Sequence, residues 1–227
     1  MNKSKIEWCD YTVNPIKGLC PMHCKTPDGY EYCYAAGEKG LYKRFKWNPE
    51  IRFQRLKMTM PVKPSRFFVG STMELFGDWI KPEWLSEILG IVKFHSQHTF
   101  IFLTKKPDNL QKWSPFPTNA WVGVSATDNK SLDVALHYLF DITATVKFIS
   151  LEPLMGAIDS WAVGLPCEWN RIGWLIVGAQ TQPLKLPRPL WVETAIKYAN
   201  DYCIPVFLKN NLQRLYPSKK LRQEMPE

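Results

Sequence analysis

The sequence predicts an α/β protein built as a partial TIM-like barrel of six or seven strand–helix units. Short apolar runs recur from residue 66 onward, and segments with apolar residues at helical spacing lie between them. The runs start roughly 20 to 35 residues apart, the length of a strand plus its crossover helix. The chain has 227 residues, fewer than the roughly 250 of a complete eight-stranded barrel. A partial barrel is therefore favoured, and a doubly wound open sheet is the alternative.

The first element is a short strand predicted within residues 6–15, where apolar and polar residues alternate weakly until a proline. It leads into a cysteine-rich loop, residues 18–34. Residues 34–40 are typical of a helix start weakened by two glycines. Residues 42–63 are expected to form a helix and a linker.

The later strands are six apolar runs, each short and continuous enough to be buried on both faces of a sheet. They lie at residues 67–71, 100–104, 121–125, 146–151, 174–178 and 205–208. Apolar residues at helical spacing predict helices over residues 82–92, 131–140 and 189–202. Together with the N-terminal strand, the sheet is expected to hold about seven parallel strands.

Polar side chains follow the predicted strands. Because the carboxyl ends of parallel strands meet at one edge, these side chains are expected to share a rim with the cysteine loop. For any single Ser, Thr or Asp, a helix N-cap is the competing interpretation. The candidates for a functional rim are Glu74, Lys105, Ser125, Glu152 and the segment 209–211.

Three cysteines fall within fourteen residues, in the spacing Cys20-x3-Cys24-x8-Cys33. Four thiolates would close a tetrahedral zinc site, whereas three leave one position open on a metal or cluster that binds something else. Structural zinc, with His23 or Cys9 as fourth ligand, is the alternative. The sequence offers no second Cys-x2-4-Cys pair for it.

Composition indicates one globular domain over residues 1–227, with a basic C-terminal tail at 209–227. No apolar run approaches the roughly 18 residues of a membrane span, and residues 1–8 lack the apolar core of a signal peptide. A cytoplasmic protein with reduced thiols, and no membrane partner, is expected. The net charge of +8 and the ten tryptophans favour a nucleic acid partner, although a solvated basic surface with a Trp-rich core explains them as well.

The cysteine loop resembles that of the radical S-adenosylmethionine (SAM) superfamily, whose usual spacing is Cys-x3-Cys-x-aromatic-Cys. The first interval matches, and Tyr32 is the aromatic residue directly before Cys33. The second interval has eight residues in place of two, so residues 25–31 are an insertion with a turn at residues 26–29.

A closer resemblance is to the phage-associated three-cysteine proteins, whose function is poorly characterised and whose fold is radical-SAM-like. The shared motifs follow one another along nearly the whole chain. They are Ile-Glu-Trp-x-Asp-x-Thr-x-Asn-Pro at 6–15, Cys-Tyr-Ala at 33–35, Leu-Thr-Lys-x-Pro at 103–107, Gly-Val-Ser at 123–125, Ser-x-Glu-Pro-Leu at 150–154 and Phe-x-Lys at 207–209.

The resemblance implies a [4Fe–4S] cluster whose fourth iron binds SAM, an external electron donor, and a 5′-deoxyadenosyl radical that abstracts hydrogen from a substrate. A nucleic acid or nucleotide is the substrate expected, and oligomeric state is left open. The alternative is a zinc- or cluster-stabilised nucleic-acid-binding protein without SAM chemistry. The implied roles are cluster ligation by Cys20, Cys24 and Cys33, adenine contact by Tyr32, the SAM amine for Glu74, the SAM carboxylate for Lys105, ribose or carboxylate for Ser125, and ribose or substrate for Glu152.

Overall fold

The computed structural model of the chain describes residues 2–26, 29–37, 40–55, 60–158 and 166–227. The strands are β1 (Asn2–Lys3), β2 (Tyr11–Val13), β3 (Ile16–Lys17), β4 (Arg52–Phe53), β5 (Arg66–Val69), β6 (Thr99–Thr104), β7 (Ala120–Ser125), β8 (Val146–Leu151), β9 (Trp174–Val177), β10 (Gln180–Thr181), β11 (Leu184–Lys185) and β12 (Val206–Leu208). The α-helices are α1 (Leu41–Arg44), α2 (Pro82–Phe94), α3 (Asn129–Asp141), α4 (Pro166–Trp169) and α5 (Pro189–Asp201), and 3-10 helices span Pro107–Trp113 and Asn210–Leu215.

Eight strands form the main sheet in the order β1-β2-β5-β6-β7-β8-β9-β12. The seven from β2 to β12 run parallel, and their order in the sheet follows their order in the chain. This sequential order is typical of a barrel wall, because each crossover helix returns the chain to the next position. The predicted partial barrel of six or seven units is confirmed.

Side chains on the parallel strands divide into two apolar clusters. The larger one, which includes Phe67, Phe102 and Val122, takes in the buried faces of α2, α3 and α5. The smaller one lies on the opposite, concave face of the sheet and includes Phe148 and Trp174. Neither face of these strands is solvated, which is why they appear in the sequence as near-continuous apolar runs.

The concave cluster is filled from outside the sheet by Trp8, in the turn between β1 and β2. Its ring centroid lies 4.9 Å from that of Phe68 and 6.0 Å from that of Trp174. Gly123 makes room for the same cluster, since a Cβ there would stand 2.3 Å from the Phe148 ring. The concave side of the half-barrel is therefore filled with side chains around Phe148 and Trp174, as the interior is in complete barrels.

Both edges of the parallel sheet carry antiparallel partners. At one edge β1 pairs with β2. At the other, Gln223 bridges Phe207 on β12, and the N–H of Leu208 donates to the Arg222 carbonyl at 2.7 Å. Residues 222–223 of the basic C-terminal tail thus pair with the outer edge of the sheet.

Two predicted elements differ from the observed ones. The first strand, expected within residues 6–15, is confined to Tyr11–Val13, because residues 6–10 turn inward and bury Trp8. The described part of the helix start expected at residues 34–40, namely 34–37 and 40, forms turns and bends, and α1 begins only at Leu41. Close packing explains this second difference, since a Cβ on Gly40 would lie 2.4 Å from the Ala35 carbonyl oxygen.

The three other predicted helices, α2, α3 and α5, agree with prediction to within two residues at each end. The segment expected as helix plus linker, 42–63, contains the end of α1 and the short β4; its residues 56–59, like 38–39 before it, lie outside the described residues. In the described part of the chain, no helix has the length and apolarity to cross a membrane.

Candidate metal centre and cofactor site

The interval between Cys24 and Cys33 folds as a short hairpin. Lys25 and Glu31 form an antiparallel bridge, and the N–H of Tyr32 donates to the Cys24 carbonyl at 3.1 Å. Gly29, the last residue of the predicted turn, has a φ of +85°, which favours glycine. Residues 27–28 of that turn lie outside the described residues. The hairpin therefore returns the chain to Cys24.

The consequence is that the Cys24 and Cys33 thiols lie in hydrogen-bond contact. This contact, together with burial, raises the pKa of Cys24, which acts as the donor. The same hydrogen bond lowers the pKa of Cys33 to about 6, although burial opposes it, and the N–H groups of Ala36 and Ala35 also point at its sulfur. Two thiols with eight residues between them in the sequence thus form one pair.

Cys20 lies on the same rim. Its Sγ accepts a hydrogen bond from the Glu74 N–H at 3.4 Å and one from the Met22 N–H, and it interacts electrostatically with Cys33. Burial raises the pKa of the Cys20 thiol. N–H groups directed at thiolate sulfurs are typical of iron–sulfur ligands, whose potential they tune.

The described residues bring no fourth ligand to the three thiols that would close a zinc site. Within the described residues, no group of three His, Cys, Asp or Glu side chains is arranged as a ready metal site. Cys9, the upstream thiol, hydrogen-bonds Ser4 Oγ at 3.1 Å ahead of β2. The His23 side chain is 73% exposed and is directed at Glu31. The three thiols of the cysteine loop therefore remain the candidate ligands. Cys24 and Cys33 are paired with each other, and the sulfurs of Cys20 and Cys33 accept hydrogen bonds from backbone N–H groups.

Tyrosines hold the loop against the neighbouring strand end, and sequence reasoning missed two of them. The Tyr42 hydroxyl donates to the Thr72 carbonyl at 2.6 Å and accepts from the Cys20 N–H at 3.2 Å. The Tyr34 hydroxyl donates to the Ser71 carbonyl. The signal available was the aromatic character of the residues that follow Cys33, although nothing in the spacing predicted their partners.

Tyr32 lies among charged groups of the rim. Burial raises its pKa to about 12, against the opposing charge of Lys105, and its hydroxyl also hydrogen-bonds Cys24. The phenol is therefore neutral at physiological pH. The structure thus places Tyr32 beside the paired thiols.

Glu74 lies directly under the loop with its carboxylate buried. Oε1 accepts from the Thr104 hydroxyl at 2.6 Å and from the Phe76 N–H at 3.0 Å, and Oε2 accepts from the Lys105 N–H at 2.7 Å. A carboxylate has about four acceptor sites, so about one is left for a ligand. Glu74 therefore fixes the loops that follow β5 and β6 to each other.

Lys105 and Ser125 extend the rim along the concave face. The Lys105 Nζ lies 3.5 Å from Ser125 Oγ, which is a weak contact for an ammonium group. Burial alone would lower the pKa of Lys105, but the thiols of Cys24 and Cys33, together with Tyr32 and Glu74, raise it. The lysine is thus a cation with few direct partners. Ser150, which pairs with Ser125 between β7 and β8 and is 1% exposed, carries a hydroxyl without a partner among the described residues.

Glu152 belongs to a second group, built at the carboxyl ends of β8 and β12. Its Oε1 lies 2.8 Å from Lys209 Nζ, and the same Nζ lies 3.4 Å from Oε2 of Glu7. Burial raises the pKa of Glu152, and Lys209 acts in the opposite direction. Glycine at 178 makes the pair fit, since a Cβ there would stand 3.0 Å from Glu152 Cγ and 3.2 Å from Lys209 Cδ.

The structure therefore gathers every predicted site residue at one end of the half-barrel, in two groups. Cys20, Cys24, Cys33, Tyr32, Glu74, Lys105 and Ser125 form the near wall, and Glu152 stands on the far wall with Lys209 and Glu7. Sequence reasoning missed Glu7, which lies before β2 and reaches the site only because residues 6–10 fold inward. We call the space between the walls the mouth.

A family model described as "Protein of unknown function (DUF5131)" matches residues 3–219. Comparison with functionally curated proteins gives no match. Among solved structures, spore photoproduct lyase complexed with dinucleoside spore photoproduct is similar with a TM-score of 0.54 at 12% identity, covering 91% of this chain and 78% of that one. A point mutant of the same enzyme gives a TM-score of 0.55 at 12% identity, with the same coverage.

A further mutant, with bound AdoMet and dinucleoside spore photoproduct, gives a TM-score of 0.50 at 13% identity and covers 97% of this chain and 64% of that one. At such identities the likeness shows the fold. It confirms the partial barrel of the radical SAM type that the sequence predicts.

Proposed function

Because the chain belongs to the DUF5131 family of proteins of unknown function, its chemistry has to be inferred from its own residues, and we propose that it is a radical SAM enzyme. Cys20, Cys24 and Cys33 would hold a [4Fe–4S] cluster, and SAM would occupy the iron that no cysteine binds. The observation that supports this most directly is the hairpin that returns Cys33 to Cys24, beside Cys20, at the carboxyl ends of the parallel strands.

Such a cluster, once reduced by an external electron donor, supplies one electron for cleavage of the SAM sulfonium and so for hydrogen abstraction from a substrate. The chain's contribution is to bind, orient and exclude water. The N–H groups aimed at Cys20 and Cys33 would stabilise their thiolate forms. A reducing, cytoplasmic setting is part of the proposal, since it keeps such thiols free to bind iron.

The near wall offers a complementary set for SAM itself. Lys105, whose ammonium group makes only the 3.5 Å contact to Ser125 among the hydrogen bonds and ion pairs of the described residues, would pair with the SAM carboxylate. Ser125 Oγ and the unpartnered Ser150 Oγ would donate to the carboxylate or ribose. Glu74 would accept from the SAM amine with its remaining acceptor site, and Tyr32 would contact the adenine.

The far wall would face the ribose or the substrate. Glu152 and Lys209 are each about one-fifth exposed or less, so both are desolvated yet reachable from the mouth. A ligand hydroxyl could accept from Lys209 or donate to Glu152 without displacing any backbone hydrogen bond.

The test is anaerobic reconstitution with iron and sulfide, followed by iron counting, electron paramagnetic resonance of the reduced protein, and chromatography for 5′-deoxyadenosine after addition of SAM and dithionite. We expect about four irons per chain and 5′-deoxyadenosine formation. Cys20→Ala, Cys24→Ala and Cys33→Ala should each abolish both signals.

The matched controls are Cys167→Ala and Cys203→Ala, which change exposed thiols outside the mouth and should keep both signals. A colourless protein that retains one zinc per chain would overturn the proposal in favour of a structural metal site. A brown protein that never cleaves SAM would favour the cluster-stabilised binding protein.

A further inference from the structure

Cations stacked on aromatic rings are unevenly distributed over the molecule. Among the described residues, five lysine or arginine side chains lie over a ring within 5.8 Å of its centroid. Four of these pairs lie in segments that follow the carboxyl ends of parallel strands, on the side of the mouth. The fifth, Arg171 over Phe140, lies on the opposite side, ahead of β9 and β8.

One pair joins two hairpins across the mouth. The Lys185 Nζ lies 5.8 Å from the centroid of the Tyr30 ring. Tyr30 belongs to the cysteine hairpin after β2, whereas Lys185 belongs to the β10–β11 hairpin after β9, five positions away in the sheet. Curling of the sheet brings the two hairpins together. Tyr30 is 45% exposed, so part of its side chain is open to a ligand.

The other three pairs lie in the first turns of helices or just beyond the cysteine loop. Arg188 lies over Trp191 at 5.4 Å, at the start of α5, and Lys81 lies over Trp84 at 5.2 Å, at the start of α2. The third pair, Arg44 over Phe45 at 5.4 Å, follows the cysteine loop. A cation beside a helix N-terminus is disfavoured by the helix dipole, so the sequence keeps Lys81 and Arg188 there against a small cost in stability.

Three of the cations that lie over rings on this side of the molecule are not paired with carboxylates. Asp78, just ahead of α2, and Asp108 contact Lys106 instead, at 3.6 Å and 3.2 Å. The ion pairs of the described residues include none to Lys185, Arg188 or Lys81. A polyanion that approaches this side would therefore find cations that contact aromatic rings and are not paired with carboxylates.

We propose that the side of the molecule around the mouth binds single-stranded nucleic acid, whose phosphates contact these cations and whose bases stack on the exposed rings. This deepens the proposed function, on which it rests, by naming the substrate class. Alternating cations and aromatic rings match the alternation of phosphate and base along one strand. A duplex hides its bases from such rings, and a base inside a helix cannot reach the floor of a half-barrel.

The experiment measures the fluorescence anisotropy of a labelled oligothymidylate, about 12 nucleotides long, titrated anaerobically with reconstituted full-length protein at several salt concentrations. We expect single-stranded oligonucleotide to bind at least tenfold more tightly than a duplex of the same length. Arg188→Glu should weaken binding about tenfold and reduce the slope of log affinity against log salt by about 0.7.

Arg171→Glu is the matched control, because it makes the same charge change at an exposed arginine that also stacks on a ring, on the opposite side. It should weaken binding less than twofold. Tyr30→Ala should weaken binding about fivefold with the salt slope unchanged, since stacking rather than charge is lost.

Equal losses in Arg188→Glu and Arg171→Glu would overturn the proposal, because they would indicate attraction by net charge alone. Preference for duplex, or no binding of either form, would also overturn it. None of these outcomes depends on the cluster. A protein with iron and SAM cleavage but no oligonucleotide binding refutes this inference alone, whereas mouth-localised binding by a chain that never holds iron refutes the proposed function alone.

Discussion

The two walls of the mouth each carry one carboxylate at a strand end, and they satisfy it in different ways. On the near wall Glu74 accepts two backbone N–H groups and one hydroxyl. On the far wall Glu152 is paired with the ammonium group of Lys209, which also contacts Glu7. Backbone donors cannot leave without moving the chain, whereas a lysine on a flexible stem can change partners.

The difference suits the two carboxylates to different tasks: Glu74 supports the surrounding loops, whereas Glu152 and Lys209 can exchange their contact for one to a ligand. Glu74 ties the loop after β5 to the end of β6, and so fixes the floor beneath Cys20 and the backbone of Lys105. The Glu152–Lys209 pair can open toward a ligand at the cost of one ion-pair contact. Near-wall groups are thus suited to hold a resident cofactor in place, and far-wall groups to meet molecules that come and go.

The largest expected difference is in the response of the two carboxylates to the same change. Glu74→Gln places an amide NH2 among two N–H donors and a hydroxyl, and should lower the free energy of unfolding by about 3 kcal/mol. Glu152→Gln leaves Lys209 paired with Glu7 and should cost about 1 kcal/mol. Urea unfolding of both variants at pH 7 measures the comparison, and an equal or larger loss for Glu152→Gln would contradict it.

Removal of the shared cation tests the far wall alone. Lys209→Met keeps the aliphatic stem but leaves the carboxylates of Glu152 and Glu7 facing each other, at a cost of about 2 kcal/mol at pH 7. The pKa of Glu152, already raised by burial, should rise further. A carboxyl group whose pKa is raised on folding holds its proton more tightly in the folded protein. The free energy of unfolding therefore falls as the pH rises from the group's ordinary pKa of 4.5 through its folded-state pKa.

The deficit of Lys209→Met relative to wild type should therefore be small near pH 4.5 and grow as the pH rises. Urea unfolding at a series of pH values measures it. Lys220→Met, which changes an exposed lysine, serves as control and should show no such trend. A deficit that stays constant with pH would mean that the loss is one of packing.

The smallest expected effect concerns the glycine that makes room for the pair. Gly178→Ala brings a Cβ to 3.0 to 3.2 Å from Glu152 and Lys209 side-chain carbons, and should cost about 1 kcal/mol. Gly173→Ala, whose Cβ would be 3.4 Å from Val146, should change stability by less than about 0.5 kcal/mol. Thermal unfolding of both variants checks this, and equal shifts would show that the pair is free to move aside.

Much of the fold was predictable because burial on both faces leaves a strong signal in the sequence. Runs such as Phe67–Val69 and Trp174–Val177 are apolar at every position, and helices such as α2 show clear spacing between them. Much of the rim was predictable for a related reason. Lys105, Ser125 and Glu152 stand at or directly after the ends of such runs, and parallel strands bring those ends together.

What the sequence could not reveal depends on contacts between distant segments. Glu7 precedes the first strand, so its contact with Lys209 arises only from the inward turn that buries Trp8. Glu74 and Glu152 both lie in segments that follow a strand, and the sequence pattern carried no sign that Glu74 is bonded mainly by backbone N–H groups and Glu152 by a lysine. The hairpin before Cys33 was expected as an insertion, but its return to Cys24 is a property of backbone hydrogen bonds.

An open parallel sheet would ordinarily leave two rows of free N–H and C=O groups, which are templates for edge-to-edge aggregation. Here the short antiparallel segments at β1 and at residues 222–224 cover the outer edges of β2 and β12. The sheet can therefore stay open along its length without inviting a second copy to extend it. A half-barrel kept open in this way can admit a long polymer from the side, where a closed barrel would require a free end or a small molecule.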